Sequence, residues 1–550
     1  MHVAVIGSGT SGVASATALL DAGHRVDILD VGREPEPETR VLVRRIQQRI
    51  VDGLPLDGEM LRQLKWGKDQ PRGVLDGLRM LLSRGLQVER GAKRIYGSGF
   101  VFEAAEAGIP IDNADIPVSL AKGGLSNAWG ASCYPLRETD YNDWPISSGD
   151  LAPYYKRVAK LLGIVQHDDD LARAYPLHGV VTGAVARNPG SSAERLLTRW
   201  SRYQGALARR GFAAGRARLA VRPEGSEGDS CRLCGLCFYG CSFGSIYTSN
   251  RTLRRLEERE GFTYRSGLLV LDFHENDNRV TVRSRRLGTN VVESLSYDAL
   301  FLAAGTLSSL RIAADSLGVH DQPGPVLDND LYLVPIVLNR NWALSRFRSS
   351  FTLAEAVLAL DPGIVSSRGL HLQLYSFQEY FLAELGGLLT ALPEVAQRAA
   401  WGVLNNFLIA FVYLPGRDSG IIKARVMKGK DREGIGRIRI DAKPNPESQR
   451  ILKQFLKHMR QARSDLGFVP LAFLTKKTPL GLGGHLAGTL PMRKDPGPLE
   501  TSCEGLLFGT RRVHVADASA FPALLAQNLT FTAMANAMRV ADAFSARSGV

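Results

Sequence analysis

Nothing in these 550 residues repeats in tandem and no low-complexity tail closes the chain, which excludes solenoids and repeat arrays. Long hydrophobic runs are also missing. The uncharged stretch 399–416, with its apolar run 407–414, is short for a membrane span and is interrupted by Asn405, Asn406 and Pro415, so a buried strand or helix is expected there. A second apolar stretch, 377–392, lies just upstream. Together the two would skim a membrane or line the site of a greasy substrate. The net charge of +13 comes with no nucleic-acid motif, so nucleic acid is not an expected partner. Its Arg and Lys are dense between Arg40 and Arg94 but interleaved with Glu and Asp on amphipathic patterns. A solvated helical surface is the plain reading, and attraction to anionic substrates or an anionic membrane face the sharper one. Cysteine is scarce, at six residues, and the first strand is expected from residue 2, where a secretory leader would otherwise lie. The expected location is the cytoplasm, with any membrane contact peripheral at the inner face, and disulfides are not expected.

What the chain does have is length and apolar content (45%) for two sizeable cores, and a phosphate-binding fingerprint at its start. His2-Val3-Ala4-Val5-Ile6 reads as a strand, followed at once by Gly7-Ser8-Gly9-Thr10-Ser11-Gly12 and an alanine-rich helix through Ala22. The first Gly permits the turn, the second lets the backbone approach a pyrophosphate, and the third lets helix and strand pack closely. Gly23 ends the helix, and Arg25-Val26-Asp27-Ile28-Leu29-Asp30 reads as the second strand, with Asp30 placed to accept from a ribose 2′-OH. The alternative is a glycine-rich turn of an ordinary α/β unit.

Four later segments carry a resemblance. They are Gly123-Gly124-Leu125-Ser126-Asn127-Ala128-Trp129-Gly130, then Asp143-Trp144-Pro145-Ile146 with the Asp150–Tyr155 stretch, then Leu302-Ala303-Ala304-Gly305-Thr306. The last is a C-terminal block holding Gly483-Gly484-His485, Gly488-Thr489, Asp517-Ala518 and Gln527-Asn528-Leu529-Thr530. In this order they resemble the flavin loop, the segment after it, the returning strand and the closing motif of the glucose–methanol–choline (GMC) oxidoreductases. The middle third matches poorly. The resemblance implies an α/β fold with a Rossmann-type FAD-binding domain and an α+β substrate domain, an antiparallel sheet backed by helices. It implies an FAD-dependent enzyme that oxidises an alcohol, sugar or lipid-linked carbinol by hydride transfer to flavin N5.

The same resemblance assigns residues. Cofactor contacts fall on Gly7, Gly9, Thr10, Ser11, Gly12 and Asp30 in the fingerprint, and on Gly123, Gly124, Ser126, Asn127 and Trp129 in the loop. Val270, Ala304, Gly305, Asp517, Ala518, Asn528, Leu529 and Thr530 complete the set. For Asp517 a turn or helix-cap carboxylate is the plain alternative. His485 stands at the family's first active-site position as base, and Asn528 at the second, orienting the same oxygen. A neutral imidazole, with an ordinary pKa near 6.5, suits removal of a hydroxyl proton. Pro491 replaces the family's usual Arg, and Leu529 a Pro that often follows the Asn. Pyranose-oxidising relatives carry a flavinylated His where this chain has Ala128, so FAD is expected to be non-covalent.

Cys231, Cys234, Cys237 and Cys241 form a C-x2-C-x2-C-x3-C run, the spacing of bacterial ferredoxins, though Ser242 stands where a Pro usually follows. An iron–sulfur cluster, a zinc site, or structural or redox-active thiols are the readings. Since no second such run exists, Cys133 or Cys503 would be called on if the fourth ligand is missing.

In the expected organisation, 1–318 and 476–550 form the cofactor domain, interrupted by a basic helical insert at about 33–95 and a Cys-rich excursion at about 226–250. The substrate domain is 319–475. Within it, 331–338, 370–375 and 436–440 read as strands and 449–466 as a helix. The leading expectation is a dehydrogenase passing electrons, through the cluster if present, to a carrier partner. The alternatives are an oxygen-using oxidase with structural thiols, a flavin-bound lyase or isomerase without net redox, and a non-catalytic electron-transfer subunit.

Overall fold

The computed structural model describes residues 1–66, 94–102, 111–112, 116–178, 192–223, 229–289, 291–339, 351–376, 403–429 and 434–549. The apolar stretch 377–392 and most of the basic insert beyond Trp66 lie outside them.

Short β-branched runs build the central sheet. Val3, Val5, Val26 and Ile28 are fully buried, each burial contributing roughly 1.5–3 kcal/mol. Five parallel strands run in the order Val513–Val515, Ala299–Leu302, His2–Ile6, Arg25–Leu29, Phe262–Arg265. The first strand thus has one crossover leaving on each side, and a ligand crevice is expected at its carboxyl end. The same topology brings the two chain termini together. Helix Thr10–Asp21 packs against the C-terminal helix Thr530–Arg547. Buried Ala14, Ala16 and Ala18 let the two approach closely, and the C-terminal helix is buried nearly all round, as a core helix is.

A three-stranded antiparallel meander, Leu268–Glu275, Val280–Arg286 and Val292–Tyr297, covers the other face. Helix Thr306–Leu317 packs between it and a four-stranded sheet of Gly324–Val326, Ile421–Met427, Arg437–Lys443 and Ile111–Asp112. The expected strand at 436–440 is therefore a strand, half-exposed as its alternation suggests, but it lies in this sheet rather than over the crevice.

The large antiparallel sheet orders Phe468–Pro470, Leu331–Leu338, Phe407–Tyr413, Leu370–Ser376, Ala356–Leu360 and Phe212–Arg216, with Lys476–Lys477 also pairing the second strand. Its central strands Leu331–Leu338 and Phe407–Tyr413 are apolar on both faces, while Leu370–Ser376 alternates. Tyr332, Val334, Leu372, Leu374 and Ala410 pack on Trp200 of helix Ser192–Arg209 and Phe455 of helix Pro446–Gln461. The second helix starts at a true cap, Asn445 accepting from the Glu447 N–H at 3.1 Å, and the expected 449–466 helix divides at Ala462. The opposite face roofs the crevice. Register sets it in rows: Leu331 opposite Tyr413 opposite His371, Leu333 opposite Phe411 opposite Gln373, and Pro335 opposite Ile409 opposite Tyr375. Segments from both halves of the chain build each layer, since Phe212–Arg216 edges the large sheet.

No helix among the described residues is long and apolar enough to cross a membrane. The uncharged stretch near 407–414 is the buried strand Phe407–Tyr413.

Candidate active site

At the first strand's carboxyl end the chain makes a turn that only glycine fits. Gly7 has φ +98°, and a Cβ there would stand 2.6 Å from the Ala303 carbonyl oxygen. A Cβ on Gly12 would stand 1.9 Å from the Gly7 oxygen, so the helix could not pack against its strand. Gly9 differs: a Cβ there would meet nothing within 4 Å, which leaves the space above it open to a ligand. No side chain caps the helix that begins at Thr10, so its free N–H groups and positive dipole end face that space.

Asp30 closes the far end. Burial pushes its pKa up to about 6, while hydrogen bonds from the Ser8 and Tyr264 hydroxyls (Tyr264 at 3.0 Å) and from backbone N–H groups oppose the shift. It stays mostly ionised at neutral pH. Ser8 also accepts the Gly123 N–H at 2.8 Å, which clamps the second glycine loop onto the first. Within that loop the Ser126 hydroxyl donates to the Gly123 carbonyl at 2.5 Å, and Asn127 donates to the carbonyls of Lys122 and Gly124. Asp517 accepts from the Gly305 N–H at 2.8 Å and the Ser309 hydroxyl at 2.6 Å with one oxygen, and from the Ser519 N–H with the other. It is thus the cap of its own turn as well as part of the wall, and it holds the Gly305 bend.

One cavity of about 1030 Å³ runs from this cradle to the roof sheet, at the top of the size range for ligand sites. Gly7, Gly9, Thr10, Ser11 and Asp30 line it, as do Gly124, Ser126 and Trp129. Val270, Ala304, Gly305, Asp517, Ala518, Leu529 and Thr530 line it too. Gly12, Gly123 and Asn127 shape it from behind. Ala128 is on the wall, without any group able to bond a flavin covalently.

His485 and Asn528 meet at the boundary between cradle and roof. His485 Nε2 lies 3.0 Å from Asn528 Nδ2, and its Nδ1 lies 2.8 Å from Asn329 Oδ1. The donors and acceptors around them fix every proton. The Asn329 amide nitrogen donates to the carbonyls of Leu414 (2.6 Å) and Leu525 (2.9 Å), so its oxygen faces His485 and must accept from Nδ1–H. The lone pair is therefore on Nε2, toward the cavity. Asn528 Oδ1 accepts from Gln373 Nε2, which leaves Nδ2 as the atom facing His485. Gln373 in turn accepts from the Tyr375 hydroxyl at 2.8 Å and donates to His371 Nε2 at 3.1 Å. His371 Nδ1 meets the Tyr175 hydroxyl at 2.9 Å, which also accepts from Arg137 at 3.2 Å. Burial depresses the pKa of His485 to about 4 and that of His371 well below its ordinary value, so both rings are neutral at pH 7. Tyr413 stacks on the His485 ring, centroids 5.1 Å apart.

The loop bearing His485 is pinned by the same segment. Asp328 accepts from the Gly481 N–H at 2.9 Å, and Leu327 and Ala487 exchange both backbone bonds. Sequence reading missed Ser8, Tyr264, Asn329 and Gln373. His371, Gln373 and Tyr375 carried a signal, polar or aromatic groups at alternate positions of an apolar strand. Asn329, between two aspartates before a strand, carried none.

The four cysteines converge, but not as their spacing suggests. Cys231, Cys234, Cys237 and Cys241 border one void of about 20 Å³, room for little more than a water molecule, walled otherwise by Val221, Leu236 and Phe351. Among the described residues no group of three or more His, Cys, Asp or Glu side chains is placed to hold a metal ion. Burial raises the Cys234 thiol to about 12 and that of Cys237 in the same direction, so without a bound metal both sulfurs stay protonated. As placed, then, these residues fit neither an iron–sulfur cluster nor zinc. Cys133 is buried beside the Ala131 carbonyl, and Cys503 lies near Pro145 and Arg493; neither borders that void. Cys237 also borders the large cavity. The loop docks on helix Pro37–Val51 through the Gln47 side chain, which donates to the Ser242 carbonyl at 2.6 Å.

Residues 423–537, which contain both His485 and Asn528, match the GMC oxidoreductase family. No curated protein matches the chain by sequence. Among solved structures, pyridoxine 4-oxidase from Mesorbium loti aligns over 98% of each chain with a TM-score of 0.57 at 15% identity. An FAD-dependent oxidoreductase from Chaetomium thermophilum aligns over 100% of this chain and 99% of its own, with a TM-score of 0.55 at 15% identity. The C-terminal region thus carries the match to the GMC oxidoreductases, and the chain shares its fold along its whole length with these two proteins.

Proposed function

We propose that this protein is a GMC-type, FAD-dependent oxidoreductase that oxidises the carbinol of an alcohol or sugar, with His485 as the base and Asn528 as the residue that orients the substrate oxygen. The cradle suits FAD bound without a covalent link. Gly9 leaves room for a pyrophosphate, the open helix N-terminus favours its charge, and ionised Asp30 suits a ribose hydroxyl. When bound, FAD supplies the two-electron acceptor for the carbinol hydrogen. The protein's part is proton transfer and orientation. A carbinol oxygen that takes over the 3.0 Å bond between His485 Nε2 and Asn528 Nδ2 gives its proton to the first and accepts a hydrogen bond from the second. The observation that carries this reading is the locked tautomer, since Asn329 can only accept from Nδ1–H and so keeps Nε2 unprotonated. Neutral His485 needs no deprotonation before it acts at pH 7.

Anaerobic mixing of the holoenzyme with substrate tests it. Flavin absorbance should bleach, and His485→Ala should retain FAD yet bleach at least 100-fold more slowly. Turnover without bleaching would establish a lyase or isomerase instead, and function surviving His485→Ala an electron-transfer subunit. For the acceptor we propose a protein or small-molecule carrier, with oxygen as the alternative. Iron analysis of anaerobically purified protein bears on this: several irons per FAD would restore a cluster at Cys231–Cys241 and the carrier reading, and FAD without iron favours the oxidase. We propose the cytoplasm as the location.

A further inference from the structure

We infer that the substrate is an apolar alcohol, a long-chain or aromatic carbinol rather than a sugar; this narrows the carbinol-oxidising reading above and rests on it. The inference comes from the roof of the cavity. Beyond His485 and Asn528 the sheet presents Leu331, Leu333 and Pro335 from one strand and Phe407, Ile409 and Phe411 from its neighbour, all on the cavity wall. These are alternate residues, so strand geometry turns every one of them to the same face. Polar side chains there are few: Lys476, opposite Leu333 on the neighbouring short strand, borders the cavity from an exposed position, and the others are mostly committed. Gln373 and Tyr375 bond each other, and the Thr478 hydroxyl donates to the Leu331 carbonyl at 3.3 Å. The Thr475 hydroxyl oxygen is buried and has no hydrogen-bond partner among the described residues, which allows for one further polar group on the substrate. A sugar brings several hydroxyls into such a chamber, and each one left without a partner costs roughly five- to a hundredfold in binding.

The rim agrees with the interior. Phe473 is 83% exposed and Leu474 47% exposed, and both also border the cavity. Large apolar side chains held in water at the edge of an apolar chamber suit entry of a ligand that itself leaves water.

The test uses purified holoenzyme under anaerobic conditions, with flavin bleaching followed against straight-chain primary alcohols of increasing length, benzyl alcohol, glycerol and glucose. The expected result is a kcat/KM for bleaching that rises about fourfold per added methylene, with glucose and glycerol inactive at matched concentrations. Leu333→Gln should then lower kcat/KM for the longest active alcohol at least tenfold more than that for the shortest, at unaltered FAD content. Bleaching by glucose at lower concentration than by any alkanol, or a flat response to chain length, overturns the substrate class while carbinol oxidation stands. Bleaching by none of them, with FAD bound, overturns the carbinol reading and this inference together.

Discussion

Replacing Asn329 tests the site most directly, because it is fully buried, belongs to no catalytic motif, and borders the ring rather than the substrate. Asn329→Leu keeps the volume but removes the oxygen that accepts from His485 Nδ1–H. A buried donor left without a partner costs about 1–3 kcal/mol. The ring avoids that cost by moving its proton to Nε2, where it faces the Asn528 amide hydrogens that Gln373 holds in place. Either way the competent base loses about 1–3 kcal/mol, equal to a roughly 5- to 150-fold slower reductive half-reaction. Substrate affinity should change little. Both Asn329→Leu and Asn329→Asp lose the donors to Leu414 and Leu525, so any general loosening is common to the two. Asn329→Asp, however, keeps an acceptor and adds a charge about 3 Å from the ring. It should retain the tautomer and raise the His485 pKa by about 1–3 units, so that the acid limb of the rate profile moves up from near pH 4. Stopped-flow bleaching from pH 4.5 to 8 reads both effects, with circular dichroism and FAD content as controls. An Asn329→Leu protein that binds FAD and bleaches at the wild-type rate would refute the tautomer argument.

Three further outcomes follow from the same geometry. Gly12→Ala should yield protein with little or no FAD, because its Cβ would stand 1.9 Å from a backbone oxygen, whereas Gly23→Ala, with nothing within 4 Å, should cost only about 1 kcal/mol of stability at full flavin content; stoichiometric FAD in Gly12→Ala defeats the cradle. Acid should destabilise the fold between about pH 6.5 and 4, since burial depresses His485 to about 4 and His514 to about 3. These rings stay neutral in the folded chain and take up protons once it unfolds, so their stabilisation is complete above pH 6.5 and falls by roughly 3 kcal/mol or more for each ring as pH drops. Asp30, raised to about 6, acts in the opposite sense and offsets only one of the two. A melting temperature that does not fall from pH 6.5 to 4.5 contradicts this. Finally, acid precipitation should leave free FAD in the supernatant, and flavin that stays with the pellet would point to covalent attachment at a residue other than Ala128.

The cofactor half of the fold was legible because its constraints are local. A parallel strand, a turn only glycine can make, and a helix packed within van der Waals reach leave a spacing that survives in sequence from Val3 to Asp30. The C-terminal block could be read for the same reason, its bends being fixed by Gly483, Gly484 and Gly488. The roof sheet was legible strand by strand but not as a sheet. Leu331–Leu338 and Phe407–Tyr413 are apolar on both faces, so alternation cannot say which face meets the helices and which meets the cavity; only Leu370–Ser376, with His371, Gln373 and Tyr375 on one face, carries that signal. Nor could spacing say that 437–443 belongs elsewhere, because sheet membership is decided by long-range pairing.

The cysteine run shows the converse, a strong local pattern that the fold does not carry through. The spacing brings four sulfurs to one void, yet that void has room for little more than a water molecule. Leu236, Phe243, Ile246 and Phe351 line it together with Arg232 and Ser245, and with no metal bound burial stabilises the neutral thiols of Cys234 and Cys237. At His485 burial works in the same direction and yields the opposite usefulness, since the neutral form of an imidazole is the base. What separates the two sites is direction. The Gln373 amide donates to both His371 Nε2 and Asn528 Oδ1 and so turns Asn528 Nδ2 to His485, while Asn329 accepts from the other side of the ring, so the low dielectric holds one lone pair on one atom facing the cavity.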